Sequence, residues 1–348
     1  MRWWSFLGVL PVVLGMSGCG GFVARRMAQA PNTYPSWLAP EAPVQLAFAS
    51  EFLTNFTTRI VDVGPPPARL LCRVVEPADY ALELTSTNWL EHGQRRFMFA
   101  LRASLPGKPN VWTPAPRGTV VLLHGYGVAQ FAMAPWALRL AQDGWRCLLV
   151  DLRGHGKSTG KRIFYGVQEA RDLSQVLDAL ARDGILARPV AAVGESYGAA
   201  LALRWKSADT RVDRVVAIAP YAGLSNAVLN ICHEYAGWLP RGLIKSGLRR
   251  LPSLLKVDPG ELDTTTVLAR HPVPGLFVVG TDDKITPAAD VRRLYDETPL
   301  HSEWMVVPGA THEAVTYYFN DLVLPVLAWL DGAGGAITAG SDSAVNDP

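Results

Sequence analysis

Gly194-Glu195-Ser196-Tyr197-Gly198 sets a serine between glycines two positions away on either side. A serine hydroxyl attacks a carbonyl carbon only when a base takes its proton and an acid holds that base in the right tautomer. The five-residue pattern alone is weak, arising by chance in roughly one comparable sequence in eight. Its surroundings make it specific. The apolar run Pro189–Val193 leads into it, and the helical run Ala199–Trp205 leads away. A strand turning sharply into a helix in this way lifts the serine above the sheet on a strained backbone. Gly194 and Gly198 are then required because a Cβ at either would collide where strand and helix nearly touch.

The rest of the chain must supply a sheet that can carry such a turn. Of 348 residues, 49% are hydrophobic and 18% charged, with 33 basic against 31 acidic side chains. That apolar content supports a large core and excludes disorder over most of the chain. A net charge of +2 gives no electrostatic case for nucleic acid. No apolar run reaches the roughly 18–20 residues of a spanning helix, which excludes a polytopic membrane protein. From residue 80 onward strands and helices alternate. Strands are predicted near 80–87 and 96–103, then at 118–123, 146–150, 190–193, 214–219, 275–279 and 303–307. Helices are predicted at about 133–143, 167–183, from 199, at 287–297 and at 314–330. Strands that read as nearly continuous apolar runs between helices imply a mostly parallel sheet covered on both faces, an α/β fold. Residues 224–272 fit no strand. Within them Leu243, Ile244, Leu248, Leu251 and Leu255 recur at helical spacing among Arg241, Lys245, Arg249 and Arg250, with a break at Pro252. This interval is read as a helical cap over the sheet edge.

Besides the serine turn, the chain contains His124-Gly125-Tyr126-Gly127, Asp151-Leu152-Arg153-Gly154-His155-Gly156-Lys157-Ser158, Gly280-Thr281-Asp282-Asp283 and Gly309-Ala310-Thr311-His312. In this order they resemble the α/β-hydrolase superfamily, closest in pattern to monoglyceride-lipase, lysophospholipase and serine-aminopeptidase types, over about residues 75–330. The resemblance implies a serine hydrolase with the chain order serine, acid, histidine. Reactive groups in an open α/β sheet sit beyond the carboxyl ends of strands. His312 follows strand 303–307 and lies downstream of Ser196, so it is the expected base. His271 and His301 precede strands and fall at the opposite edge. His92 comes before the sheet core, and His233 belongs to the cap. His124 and His155 lie at the reactive edge but upstream of the serine, where loop structure is their role. For the acid, Asp282 and Asp283 both satisfy the topology. The family places its acid three residues after the glycine that ends the strand, which selects Asp283. Thr286 is then positioned to cap the next helix, with Pro287 at its first turn. The oxyanion of a tetrahedral intermediate would be met by backbone N–H groups of Tyr197 and, by resemblance, Tyr126, with Gly125 and Gly127 letting the backbone approach substrate.

The N-terminus carries a different signal. Arg2 and the apolar stretch Trp3–Met16 have signal-peptide proportions. Met16-Ser17-Gly18-Cys19 resembles a bacterial lipobox, with Met16 where leucine is usual. That resemblance implies an acylated Cys19 and, because Gly20 follows, an outer-membrane destination on the periplasmic side. Four regions result: a signal segment 1–19, an extended tether 20–44 rich in Gly, Ala and Pro, a hydrolase domain 45–330, and a disordered tail 331–348. Beyond Cys19 there are three cysteines, an odd number. Cys147 is a core thiol by its strand, and pairing of Cys72 with Cys232 depends on a proximity that sequence does not carry.

The expected activity is therefore cleavage of carboxylic esters, lipid or small acyl, through an acyl-enzyme on Ser196. Amide hydrolysis and acyl transfer to an alcohol are the alternatives on the same groups. A non-catalytic scaffold on this fold is the third. No metal or organic cofactor is implied, since there is neither a ligand cluster nor a dinucleotide fingerprint.

Overall fold

The computed structural model describes residues 16–33, 44–47, 56–91, 94–104, 115–298 and 301–332. In chain order, α1 (Met16–Ala28) and β1 (Val44–Ala47) precede β2 (Thr57–Val63), β3 (Ala68–Val75), β4 (Ala81–Glu91) and β5 (Gln94–Ser104). The regular part runs β6 (Thr119–Leu123), α2 (Ala134–Gln142), β7 (Arg146–Val150), α3 (Val167–Arg182), β8 (Val190–Glu195), α4 (Tyr197–Ala208) and β9 (Val212–Ile218). Three helices follow, α5 (Leu224–Ala236), α6 (Arg241–Leu255) and α7 (Thr264–Arg270). The chain then forms β10 (Leu276–Gly280), α8 (Ala288–Asp296), β11 (Glu303–Val307) and α9 (Phe319–Asp331).

The main sheet has eight strands in the order β11-β10-β9-β8-β6-β7-β3-β2. From β6 to β11 the pairings are parallel, and β3 joins antiparallel to β7 with β2 antiparallel outside it. Both faces of the central strands are buried, which is why they read as unbroken apolar runs. Val121, Leu123, Leu148, Val150 and Ala192 face the layer holding α3, α4 and α8. Their neighbours Val120, Leu122, Cys147, Leu149 and Val193 face α2 and α9. Cys72, Cys147 and Cys232 are all free thiols. Burial pushes the Cys72 thiol up to about 12, with the Asp151 charge adding to it.

Four expectations are corrected. The two strands predicted near 80–87 and 96–103 do not belong to the main sheet: β4 and β5 pair with each other and β5 with β1 in a separate three-stranded sheet. Its Phe99 packs on Tyr317 and Phe319, with ring centroids 5.1 and 5.4 Å apart, and so braces the segment after His312. The main sheet instead begins with the β2–β3 hairpin at residues 57–75, ahead of the predicted start. The cap interval holds three helices, and α6 continues through Pro252 to Leu255. Pro252 forgoes one N–H donor to the preceding turn, and the helix still runs on for one turn to a left-handed end at Lys256.

The fourth correction concerns the expected tether. Residues 16–28 form a helix packed along α6, with Ala24 and Ala28 buried. Gly20 approaches Ser246 and Arg250, and Gly247 approaches Val23 and Ala24. The next residues continue the contact, as Ala30 N–H donates to the Lys161 carbonyl and Asn32 N–H to the Gly154 carbonyl. Small residues lower the hydropathy signal of a helix but let two backbones approach closely, so a composition typical of linkers here serves packing. The remainder of the expected tether lies mostly outside the described residues, as do the signal segment before Met16 and nearly all of the tail. Gly247→Leu is expected to lower Tm by several degrees, because its side chain meets the β-branched Val23 and the Ala24 backbone, and overpacking costs about 1–3 kcal/mol. Gly20→Leu should cost less, since its neighbours are the ends of flexible side chains. Thermal unfolding of both variants would check this, and equal Tm values for Gly247→Leu and the parent would disprove the packing role.

Candidate active site

Four strands of the sheet deliver groups to one edge, where β6, β8, β10 and β11 each end. At the end of β8, Ser196 adopts φ 50° and ψ −108°, a strained backbone for a residue with a Cβ. The strain is held by close packing on either side. A Cβ on Gly194 would overlap the Gly198 carbonyl, and one on Gly198 would overlap the Leu123 carbonyl of β6. Ser196 N–H donates to the Ile218 carbonyl at 2.8 Å, and the Ser196 carbonyl accepts from Ala199 and Ala200, starting α4.

Beyond β11, His312 turns its Nε2 to Ser196 Oγ at 2.8 Å and its Nδ1 to Asp283 Oδ2 at 2.8 Å. Asp283, after β10, is itself fixed from three sides. Its Oδ1 accepts from the Ile285 and Thr286 N–H groups at 2.8 and 2.7 Å, and its Oδ2 accepts from Thr286 Oγ1 at 2.8 Å. Thr286 therefore does not cap α8: that helix begins after Pro287, and the threonine hydroxyl turns to Asp283, with His312 Nδ1 at 3.2 Å. Capping would require the threonine oxygen to accept a helix N–H; here the hydroxyl donates to Asp283, and α8 is entered through Pro287. Asp282, the other topological option, is bonded by Thr281 Oγ1 and stands one residue away from this chain of contacts. Burial draws the His312 imidazole down, but the Asp283 carboxylate beside it, with Glu195 adding, outweighs burial and raises it overall.

Tyr197 opens α4, so its N–H belongs to the first turn, whose donors have no acceptor within the helix. Its side chain turns inward among the rings of Tyr126, His155 and Tyr165. Tyr126 lies on the loop after β6, level with the serine turn. Gly127 needs its glycine for a φ of +77°, whereas a Cβ on Gly125 would meet only the Glu195 carboxylate at ordinary contact distance. The loop from Asp151 to Ser158 has a structural role. Asp151 accepts from the Gln130 and Lys157 N–H groups, and Arg153 forms a buried pair with Asp172 at 2.7 Å. Burial draws His124 down to about 4 and, with the neighbouring His124 adding, His155 down to about 3, so both rings are neutral near pH 7.

Two residues went unread in the sequence. Thr286 was visible only as a helix cap. Glu195 lay inside the serine motif at a position the motif leaves open. It turns Oε2 into the protein, where that oxygen has no hydrogen-bond partner among the described residues. Burial pushes its carboxyl up to about 7, against the pull of His312 and with help from Glu313. While ionised, it favours a protonated His312. Only neutral His312 can accept the serine proton, so activity should rise with pH through the histidine titration. Glu195→Gln removes the negative charge, lowers the histidine's proton affinity and is expected to move the acid limb of kcat/KM to lower pH. An unchanged limb would remove Glu195 from that role.

Among the described residues no group of three or more His, Cys, Asp or Glu is placed to hold a metal ion. The geometry shown is a serine hydroxyl and a buried carboxylate on opposite nitrogens of one imidazole, an arrangement that could serve as nucleophile, orienting acid and base.

Comparison with known proteins agrees with this architecture. Residues 114–265 match the family described as serine aminopeptidase, S33. Monoacylglycerol lipase of Mycolicibacterium smegmatis is 29% identical over 260 residues, covering 64% of this chain and 91% of the lipase. Protein YqkD of Bacillus subtilis is 27% identical over 218 residues, covering 58% of this chain and 67% of its own. The esterase Pf2001 of Pyrococcus furiosus superimposes with a TM-score of 0.58 at 18% identity, over 88% of this chain and 97% of the esterase. The fold is that of the α/β-hydrolases. Over part of its length the chain is also similar in sequence to hydrolases of the serine aminopeptidase and monoacylglycerol lipase kinds.

Proposed function

We propose that this protein is a serine hydrolase that cleaves carboxylic esters. Ser196 attacks the ester carbonyl while His312 Nε2 takes the hydroxyl proton, and the oxyanion is met by the Tyr197 and Tyr126 N–H groups. The C–O bond breaks as His312 returns the proton to the leaving alcohol, leaving an acyl-enzyme. Water, deprotonated by the same histidine, then releases the acid. Asp283 keeps the Nδ1 proton in place and stabilises the imidazolium. The observation that carries this reading is the pair of 2.8 Å contacts from His312 to Ser196 and Asp283 on a strained serine turn.

Ester substrates are favoured by the likeness to a monoacylglycerol lipase and an esterase. We further propose that Cys19 is acylated and the protein anchored in the bacterial envelope, which would bring lipid esters within reach. The α1 residues described against α6, Gly20, Val23 and Ala24, would all remain after cleavage before Cys19. A fluorophosphonate probe should label the full chain at Ser196, and an acyl-chain panel of esters beside matched amides then reads the substrate class. Absence of labelling on folded protein would overturn the hydrolase reading. Turnover of amides alone would overturn the ester assignment, and an unmodified Cys19 in the mass of the N-terminal peptide would overturn the anchor.

A further inference from the structure

Helix α6 buries Ile244, Gly247, Leu248, Leu251 and Leu255 and exposes Arg241, Lys245 and Arg249 at successive turns. Among the described residues none of these three cations pairs with a carboxylate. The helix lying against it, α1, adds an exposed Arg25 and, beside it, Arg26. Together the two helices contain six basic residues and no acidic one, in a chain whose total excess is two. Exposed aromatic groups accompany the charge. Phe22 on α1 is 51% exposed, and Trp238, three residues ahead of the Arg241 that begins α6, is 58% exposed.

Exposed cations beside exposed aromatic rings suit a phospholipid headgroup layer, where rings settle at the interface and lysine and arginine meet anionic phosphates. The position in the chain points the same way, since Cys19 of the lipobox-like segment immediately precedes Gly20, which touches α6 at Ser246 and Arg250. We propose that the α1–α6 face docks on an anionic phospholipid surface through Arg241, Lys245 and Arg249. Docking through α6 would hold the cap at headgroup level and fix which way the active-site edge faces. This inference stands on surface charge and does not require the acyl-enzyme chemistry.

The test uses the full chain reconstituted from detergent and its partitioning onto two kinds of vesicle, phosphatidylcholine alone and phosphatidylcholine with phosphatidylglycerol. An acyl anchor contributes equally to both, so the difference between them reads the patch. For three cations the preference for anionic vesicles should be on the order of 100-fold at low salt. It should collapse near ~1 M salt, where the screening length falls to about 3 Å. Arg241→Gln/Lys245→Gln/Arg249→Gln should lose most of the preference, and the corresponding triple glutamate variant should reverse it. Charge reversal at Arg102 and Arg139, carried by β5 and α2 on the other side of the sheet, should leave it intact. Unchanged thermal unfolding shows that each variant is folded, and the glutamine variant decides if the glutamate one is not. A parent protein indifferent to lipid charge, or triple variants that keep its preference, would overturn the proposal.

Discussion

Ser196→Ala is expected to lower kcat on a soluble short-chain ester by about 10⁵–10⁶ and to abolish fluorophosphonate labelling, with KM and Tm little changed. The hydroxyl is the only group replaced. The Ile218 hydrogen bond to the backbone, the start of α4 and the backbone N–H of Tyr197 all remain. Substrate should therefore still bind, and the residual rate should reflect binding and oxyanion stabilisation without covalent attack. Ser196→Gly should be as inactive and yet more resistant to heat. A φ of 50° in this turn costs a residue with a Cβ on the order of 1–3 kcal/mol, which glycine does not incur. Measured Tm values for the two variants separate strain from chemistry. Substantial turnover by Ser196→Ala would exclude an acyl-enzyme at this serine.

Asp283→Asn is expected to reduce kcat by about 10⁴. The carboxylate accepts from the Ile285 and Thr286 backbone through one oxygen and meets His312 Nδ1 and Thr286 Oγ1 through the other. An asparagine must keep its carbonyl oxygen toward the two backbone donors, which turns its NH₂ toward His312. Nδ1 then has to accept, Nε2 has to carry the proton, and Nε2 can no longer take one from Ser196. The wild-type carboxylate also raises the histidine's proton affinity, so its loss should shift whatever activity survives to a lower-pH acid limb. Asp282→Asn should stay within a few-fold of the parent, because its side chain is engaged by Thr281. Comparing kcat against pH for the two aspartate variants tests the assignment, and a larger loss from Asp282→Asn would reverse it.

The parts of this site legible in sequence were those governed by local rules. Gly194 and Gly198 declare a turn in which no Cβ fits. The strand and helix on either side of Ser196 are set by neighbours within a few residues. Strand direction put His271 and His301 at the opposite edge from His312, while His124 and His155, at the same edge, were set aside by the chain order that the resemblance implies. Topology left Asp282 and Asp283 level, since adjacent residues of one loop reach the same edge. Their difference is a matter of about one residue's rotation of the backbone, and the structure turns Asp283 to His312.

What only the tertiary structure decided came from contacts between residues distant in sequence. The Gly- and Ala-rich segment after Cys19 carries a weak helical signal, and its burial exists only against α6, more than 200 residues later, and against residues 154–165. The β2–β3 hairpin joins the main sheet only because β7 offers β3 an edge. Thr286 donates to Asp283 because the folded loop brings that buried carboxylate within its reach. Glu195 acquires its unusual proton affinity from the packing of β8 beneath the loops that carry Gly125 and His312. Sequence by itself determined the class of fold and the serine turn, because strand direction and backbone sterics act over short stretches. Tertiary structure decided which of two adjacent aspartates turns to His312, which carboxyl lies buried beside that imidazole and which helix packs on α6, because burial and electrostatics depend on what the whole chain brings together.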